Sequence, residues 1–335
     1  MNLGVIEGFF GPSWKWDERA HMISFLKSSN YKFYIYAPKS DPYLRKKWEL
    51  DHPKQWHDNL LNLSHHCSEL GIDFGIGLSP FEVHFDYTDQ KKDLFIKKIK
   101  KINEYKPKIL GLFFDDMKSS ESLAKVQIEL VNLADEVFEG RVVFCPTFYS
   151  FDPILDKVFG NRPENYLEEI SKGINNNVEI MWTGPKVISP EITEQHLNEV
   201  TSLLRRRPFI WDNFYANDGP KQCKFLKLIN SQGRTSKMLA SGWAINPMNQ
   251  SYLSELVLEQ FVNSNNSIED IILKRCDSDS KIIIECLNKF NFEGFDKIED
   301  KNNLINELSS DNPYCLQIKQ WLEGEFIVDN DCLTD

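Results

Sequence analysis

Along most of this chain a short apolar run is followed by a longer amphipathic stretch, and that alternation constrains the fold more than any single motif. The runs occupy residues 3–7, 33–37, 73–78, 109–114, 141–146, 178–183, 208–213 and 238–245. Most are continuously apolar rather than alternating, as expected of parallel strands covered on both faces. Between them apolar residues recur at helical spacing, over 18–28 (Met22, Ile23, Phe25, Leu26), 92–104, 122–138 and 194–205. Gly71 and Pro107 mark turns just ahead of new runs. Eight strands alternating with helices predict an α/β fold, a closed (β/α)8 barrel of the TIM type. A doubly wound open sheet is the competing arrangement, but no GxGxxG follows the first run.

The alternation ends near residue 250. Residues 251–262 read as the eighth barrel helix, closing a catalytic barrel over 1–262. Segments 268–276, 281–290 and 313–322 then predict a C-terminal helical region over 263–335, with polar links such as 263–267 between helices. Barrels of 335 residues form single domains, and 41% hydrophobic residues suffice for a large core.

A net charge of −11 argues against nucleic acid as a partner, because such binding rests on Lys and Arg neutralising phosphates. The opening residues show no basic region followed by a long apolar run, and no stretch approaches the roughly 20 apolar residues of a membrane helix. Seven scattered cysteines form no CxxC pair, so neither a disulfide framework nor a zinc site is expected. These features predict a cytoplasmic protein with no membrane partner.

In a (β/α)8 barrel the active site sits at the C-terminal ends of the strands. Polar residues there are Glu7 to Gly11, Lys39 to Asp41, Asp115 with Asp116, Tyr149, Thr183 with Lys186, Asn213 through Asp218, and Asn246. Leu110-Gly-Leu-Phe-Phe-Asp-Asp-Met is the sharpest of these elements. Two adjacent carboxylates after a buried strand repel one another, so one pKa should rise and leave a protonated acid beside an ionised base. A metal-binding or helix-capping pair is the alternative. Glycosidases use an acid and a carboxylate in this way, yet neighbours in sequence do not suit the separations of two-carboxylate mechanisms. Adjacency suits substrate assistance, in which the sugar's 2-acetamido oxygen attacks the anomeric carbon.

Residues 210–218 concentrate Asn and Asp beside Trp211, whose face can stack on a sugar; a turn with a helix cap is the plainer reading. Lys39 can donate to a ligand or be solvated. Gly8 and Gly11 allow close backbone approach or a simple turn. His65 and His66 fall on a helix near 60–70, His84 is a solitary loop histidine, and Lys97, Lys98, Lys100 and Lys101 read as one solvated helix face. No HxH follows the first run, and neither GxSxG nor a P-loop is present.

From about Gly4 to Asn249 the chain resembles the catalytic domain of the O-GlcNAcase family, glycoside hydrolase family 84. The matching stretches, in order, are Glu7-Gly-Phe-Phe-Gly, Tyr36-Ala-Pro-Lys, Phe113-Phe-Asp-Asp, Phe144-Cys-Pro-Thr, Met181-Trp-Thr-Gly-Pro-Lys, Trp211-Asp-Asn with Ala216-Asn-Asp, and Asn246-Pro. The resemblance implies a retaining exo-β-N-acetylglucosaminidase that needs no metal or other cofactor and acts on GlcNAc-bearing glycosides or O-GlcNAc proteins through an oxazoline. It implies that Asp115 polarises the acetamido group and Asp116 is the general acid and then base. Gly8 (through its backbone), Lys39, Asn213, Asp218 and Asn246 would bind the sugar or its N-acetyl group, and Tyr149 would support the acetamido oxygen. Cys145, Thr183, Val187 and Trp211 would line the acetyl pocket. Phe9-Phe10 stands where the family often has Phe-Tyr, and Phe214-Tyr215 where Ile-His is common. A catalytically idle sugar-binding barrel and a hyaluronidase-type polymer hydrolase are the alternatives.

Overall fold

The computed structural model describes residues 2–328 together with Cys332 and Thr334. Strands β1 (Leu3–Glu7), β2 (Phe33–Tyr36), β3 (Asp73–Leu78), β4 (Ile109–Phe113), β5 (Arg141–Cys145), β6 (Glu179–Trp182), β7 (Phe209–Asp212) and β8 (Gly242–Ile245) close into a barrel in chain order. Every neighbouring pair is parallel, and β8 closes on β1 with Leu3 opposite Trp243. All residues of β1, β2, β4, β7 and β8 are buried, which explains why the runs are continuously apolar. Filling the barrel needs small residues beside large ones: a Cβ on Gly77 or Gly111 would lie within 2.3 Å of the Phe113 ring.

Helices α1 (Trp16–Ser28), α2 (Lys54–Leu70), α3 (Asp89–Asn103), α4 (Leu123–Val137), α5 (Ile154–Phe159), α6 (Tyr166–Gly173), α7 (Glu194–Leu204) and α8 (Ser251–Val262) link or follow the strands. Local chemistry sets their ends. The Thr88 and Thr193 hydroxyls accept from the backbone of Lys91 and His196 to start α3 and α7, and Gly71 takes the left-handed conformation that ends α2.

The structure corrects several expectations. Only Gly242–Ile245 of run 238–245 is strand; Met238 is exposed in the preceding connection, where apolar character does not signal burial. The β5–β6 link contains the short helices α5 and α6, which lack a long periodic face. The lysine run is not one solvated face either. Lys98 is buried, its Nζ donates to the Leu50 carbonyl at 2.7 Å, and burial pushes its pKa down to about 8. His84 is buried as well, its Nε2 donating to the Lys118 carbonyl at 2.8 Å.

Beyond α8 come α9 (Ile268–Arg275), α10 (Ser280–Asn288), a π turn (Lys289–Glu293), α11 (Lys301–Glu307) and α12 (Pro313–Glu323). They brace the barrel on one side. Gln317 accepts from the first amides of α8, Trp321 Nε1 donates to the Cys223 carbonyl at 3.0 Å, and Asn291 pairs with both backbone groups of Leu228. The long β7–β8 connection is thereby pinned from outside. Among the described residues no helix is long and apolar enough to cross a membrane.

Candidate active site

The C-terminal ends of the strands surround a cavity of about 570 Å³ including its open mouth, within the size range of small-molecule sites. Gly8, Lys39, Asp115, Asp116, Cys145, Tyr149, Thr183, Val187, Trp211, Asn213, Asp218 and Asn246 all line it.

Asp115 and Asp116 follow β4. In an extended strand neighbouring side chains point to opposite faces. Asp116 breaks that rule with φ of 58°, a left-handed conformation that Asp tolerates better than most residues, and both carboxylates reach the same ammonium. Lys39 Nζ contacts Asp115 Oδ2 and lies 3.2 Å from Asp116 Oδ2. One cation for two acids leaves the pair electrostatically unbalanced. Burial drives the Asp116 carboxyl above its ordinary range; Lys39 opposes the shift and Asp115 adds to it. Burial disfavours the Lys39 charge too, but the two carboxylates outweigh it and hold its pKa above the ordinary value. Asp115 Oδ1 is buried and accepts no hydrogen bond from the described residues.

One wall of the cavity is apolar. Trp211 packs edge-on against Phe113 at 5.0 Å between ring centroids, and a Cβ on Gly8 would sit 2.4 Å from its indole. Gly8 is therefore required by close packing, although its φ is not unusual. Cys145 and Tyr149 lie beside the carboxylates, and burial pushes both of their pKa values up, so the thiol and the phenol stay protonated.

A chain of amides also lines the cavity. Gly8 N–H donates to Asn246 Oδ1 (3.2 Å), Asn246 Nδ2 to Asn213 Oδ1 (2.9 Å), and Asn213 Nδ2 to the Val187 carbonyl (3.0 Å). These bonds tie together the loops after β1, β8, β7 and β6. Asp218 accepts from Phe10 N–H at 2.9 Å, and burial raises its pKa to about 6 despite that bond. The Thr183 hydroxyl donates to the Lys186 carbonyl at 2.9 Å, shaping the loop that presents Val187. Below this arc, Arg234 Nε and Nη2 each lie 3.0 Å from Asp212, and Nη2 also donates to the Ser189 carbonyl at 2.6 Å. The β6 and β7 loops are locked by that buried clamp.

Several polar residues at strand ends do not face the cavity. Glu7 is consumed by Arg19 at 2.7 and 2.8 Å and by the Tyr34 hydroxyl. Asp41 accepts from Tyr36 and His52 and caps the turn after Lys39. Asn217 holds the Phe225 carbonyl and Gln250, and Lys186 points to solvent. Other lining residues escaped sequence reasoning. Phe10 and Ala216 sit inside quoted motifs, Ile188 beside Val187. Gln222 lies well past the end of β7, and Cys332 and Thr334 come from the far end of the chain; no local signal marks them.

The chain as a whole has counterparts among known proteins. A family model described as beta-N-acetylglucosaminidase matches residues 3–274. The Protein O-GlcNAcase of Rattus norvegicus and that of Mus musculus are each 26% identical over 338 residues, covering 96% of this chain. The chain spans 36% of the length of those curated relatives. A mutant O-GlcNAc hydrolase of Thermobaculum terrenum superposes with a TM-score of 0.76 at 24% identity, covering 96% of this chain and 80% of that one, a likeness of fold. With the family model spanning the whole barrel, the chain belongs to the beta-N-acetylglucosaminidase family.

Proposed function

We propose that this chain is a retaining exo-β-N-acetylglucosaminidase that works by substrate assistance. The observation carrying the proposal is the adjacent pair Asp115–Asp116, both reaching Lys39, with Asp115 Oδ1 buried and unpartnered and Asp116 shifted toward its protonated form. Two carboxylates gathered by one ammonium are poorly placed to act on opposite faces of an anomeric carbon, as two-carboxylate glycosidases require. They are well placed to divide acid and base roles on one substrate.

In this reading the acetamido N–H donates to Asp115, which makes the acetyl oxygen a better nucleophile. That oxygen bonds to the anomeric carbon as the glycosidic bond breaks, and Asp116 gives its proton to the departing oxygen. The resulting oxazoline is opened by water, which passes a proton back to Asp116, so the β configuration is retained. Tyr149 donates to the acetyl oxygen, while Trp211, Cys145, Thr183 and Val187 enclose the methyl group. Gly8, Lys39, Asn213, Asn246 and Asp218 bind hydroxyls of the sugar. The relatives named Protein O-GlcNAcase support GlcNAc-bearing proteins as one substrate class, alongside small glycosides.

The test is release of 4-nitrophenol from its N-acetyl-β-D-glucosaminide and its β-D-glucoside side by side. Turnover confined to the acetamido sugar is expected. Equal turnover of both rules out assistance, and turnover of neither rules out the hydrolase.

A further inference from the structure

Arg45 is a buried cation that the proposed mechanism does not use. It lies on the loop after β2, six positions beyond Lys39, and is 6% exposed. Its guanidinium carbon stands 4.5 Å from the ring centroid of Phe81 and 5.4 Å from that of Phe10. Its Nε is buried with no hydrogen-bond partner, and its guanidinium forms no hydrogen bond or ion pair with the described residues. The other two buried arginines named above differ: Arg19 is met by Glu7, and Arg234 by Asp212 and backbone carbonyls. A desolvated guanidinium held only by ring faces lacks the acceptors that ordinarily offset its burial.

Its position says where those acceptors would come from. Phe10 lines the sugar cavity, and the same ring has Lys39 Nζ 5.6 Å from its centroid. Arg45 is also one of the charges that oppose the upward shift of Asp116. Arg45 and Lys39 thus share the Phe10 ring, and Lys39 Nζ lies 3.2 Å from Asp116 Oδ2, the carboxyl proposed to protonate the leaving group's oxygen. A guanidinium fork matches a flat, two-oxygen acceptor, which it can bind with two parallel hydrogen bonds.

We propose that Arg45 reads the leaving group, donating to a carboxylate on the aglycone, so that the preferred substrates are β-N-acetylglucosaminides with an acidic leaving group. This rests on the hydrolase reading for its orientation, with Asp116 facing the aglycone. A matched pair of uncleavable ligands tests it: phenyl 1-thio-N-acetyl-β-D-glucosaminide with and without a carboxylate on the phenyl ring, their affinities measured by calorimetry. Wild type should bind the acidic ligand about tenfold more tightly, the scale of one charge-assisted hydrogen-bonded contact. Arg45→Gln should bring that ratio close to one, whatever it does to affinity for the neutral ligand. No preference in wild type, or a preference that survives in Arg45→Gln, overturns the proposal. Should Arg45→Gln fail to fold, Arg45→Lys decides, because an ammonium cannot reproduce the fork: a preference reduced severalfold supports it and an unchanged one overturns it. Failure of the hydrolase reading shows separately, as a preference for the acidic ligand in a protein that turns over no 4-nitrophenyl glycoside.

Discussion

Two clusters of buried charge stand at the C-terminal strand ends of this barrel, one at β1 and one at β4, and have opposite designs. After β1, Glu7 meets Arg19 one to one, with two short hydrogen bonds and Tyr34 as a third donor, and neither member lines the cavity. After β4, two carboxylates share one lysine, one oxygen is left unpartnered, and the second acid sits in a left-handed conformation. A satisfied ion pair serves the fold; an unbalanced, strained one has capacity left for a ligand. The same residue types thus carry different meanings, distinguished by charge balance and hydrogen-bond completeness rather than by burial.

The largest effect expected from this contrast is at Asp116. Asp116→Asn should lower kcat on an unactivated glycoside by about 10²–10⁴-fold, the usual contribution of a general acid. Single-turnover assays on aryl and alkyl substrates would check it, and a loss of less than tenfold would remove Asp116 from that role. Arg19→Met attacks the other cluster. Leaving Glu7 buried without its partner should cost about 3–5 kcal/mol in urea unfolding. A variant that unfolds like wild type would erase the proposed distinction.

Gly8→Ala probes the stacking wall. Its Cβ would collide with Trp211, so a loss of about 1–3 kcal/mol from overpacking is expected, together with a raised KM. A fourth outcome concerns Asp218, whose pKa is about 6. As pH falls through that value its carboxylate gains a proton and becomes a weaker acceptor, so KM should rise on the acid side, and Asp218→Asn should remove that limb. A KM flat from pH 5 to pH 7 in wild type would contradict it.

The smallest effect is on stability. Asp116 has a folded pKa above its unfolded one, so between the two values the folded state binds more protons and stability falls as pH rises. Asp116→Asn should therefore melt above wild type at pH 7, and the difference should vanish below the ordinary carboxylate range. A lower melting temperature at pH 7 would mean that Lys39 outweighs burial at this site.

Strand positions were largely legible in the sequence because strands covered on both faces must be apolar throughout. Their ends then pointed to Lys39, Asp115, Tyr149, Thr183, Asn213 and Asn246 without any coordinates. The misreadings share one cause. Glu7, Asp41 and Asn217 are polar residues at the same strand ends, and nothing local says that a distant Arg19, His52 or Gln250 will claim them. Lys98 looked like its neighbours in a basic run, but helix rotation turns it alone toward the Leu50 carbonyl.

Composition and periodicity by themselves determined the alternation of strands and helices and the strand ends at which polar groups would gather, because burial on both faces and helical spacing show within a few residues at a time. Only the tertiary structure decided which acid would rise in pKa, which arginine would be left without an acceptor, and that residues near position 220 and beyond 330 would help line the cavity. Those outcomes depend on groups far apart in the chain meeting where water is excluded, and desolvation and ion pairing at such a meeting are set by three-dimensional distance, which local sequence does not encode.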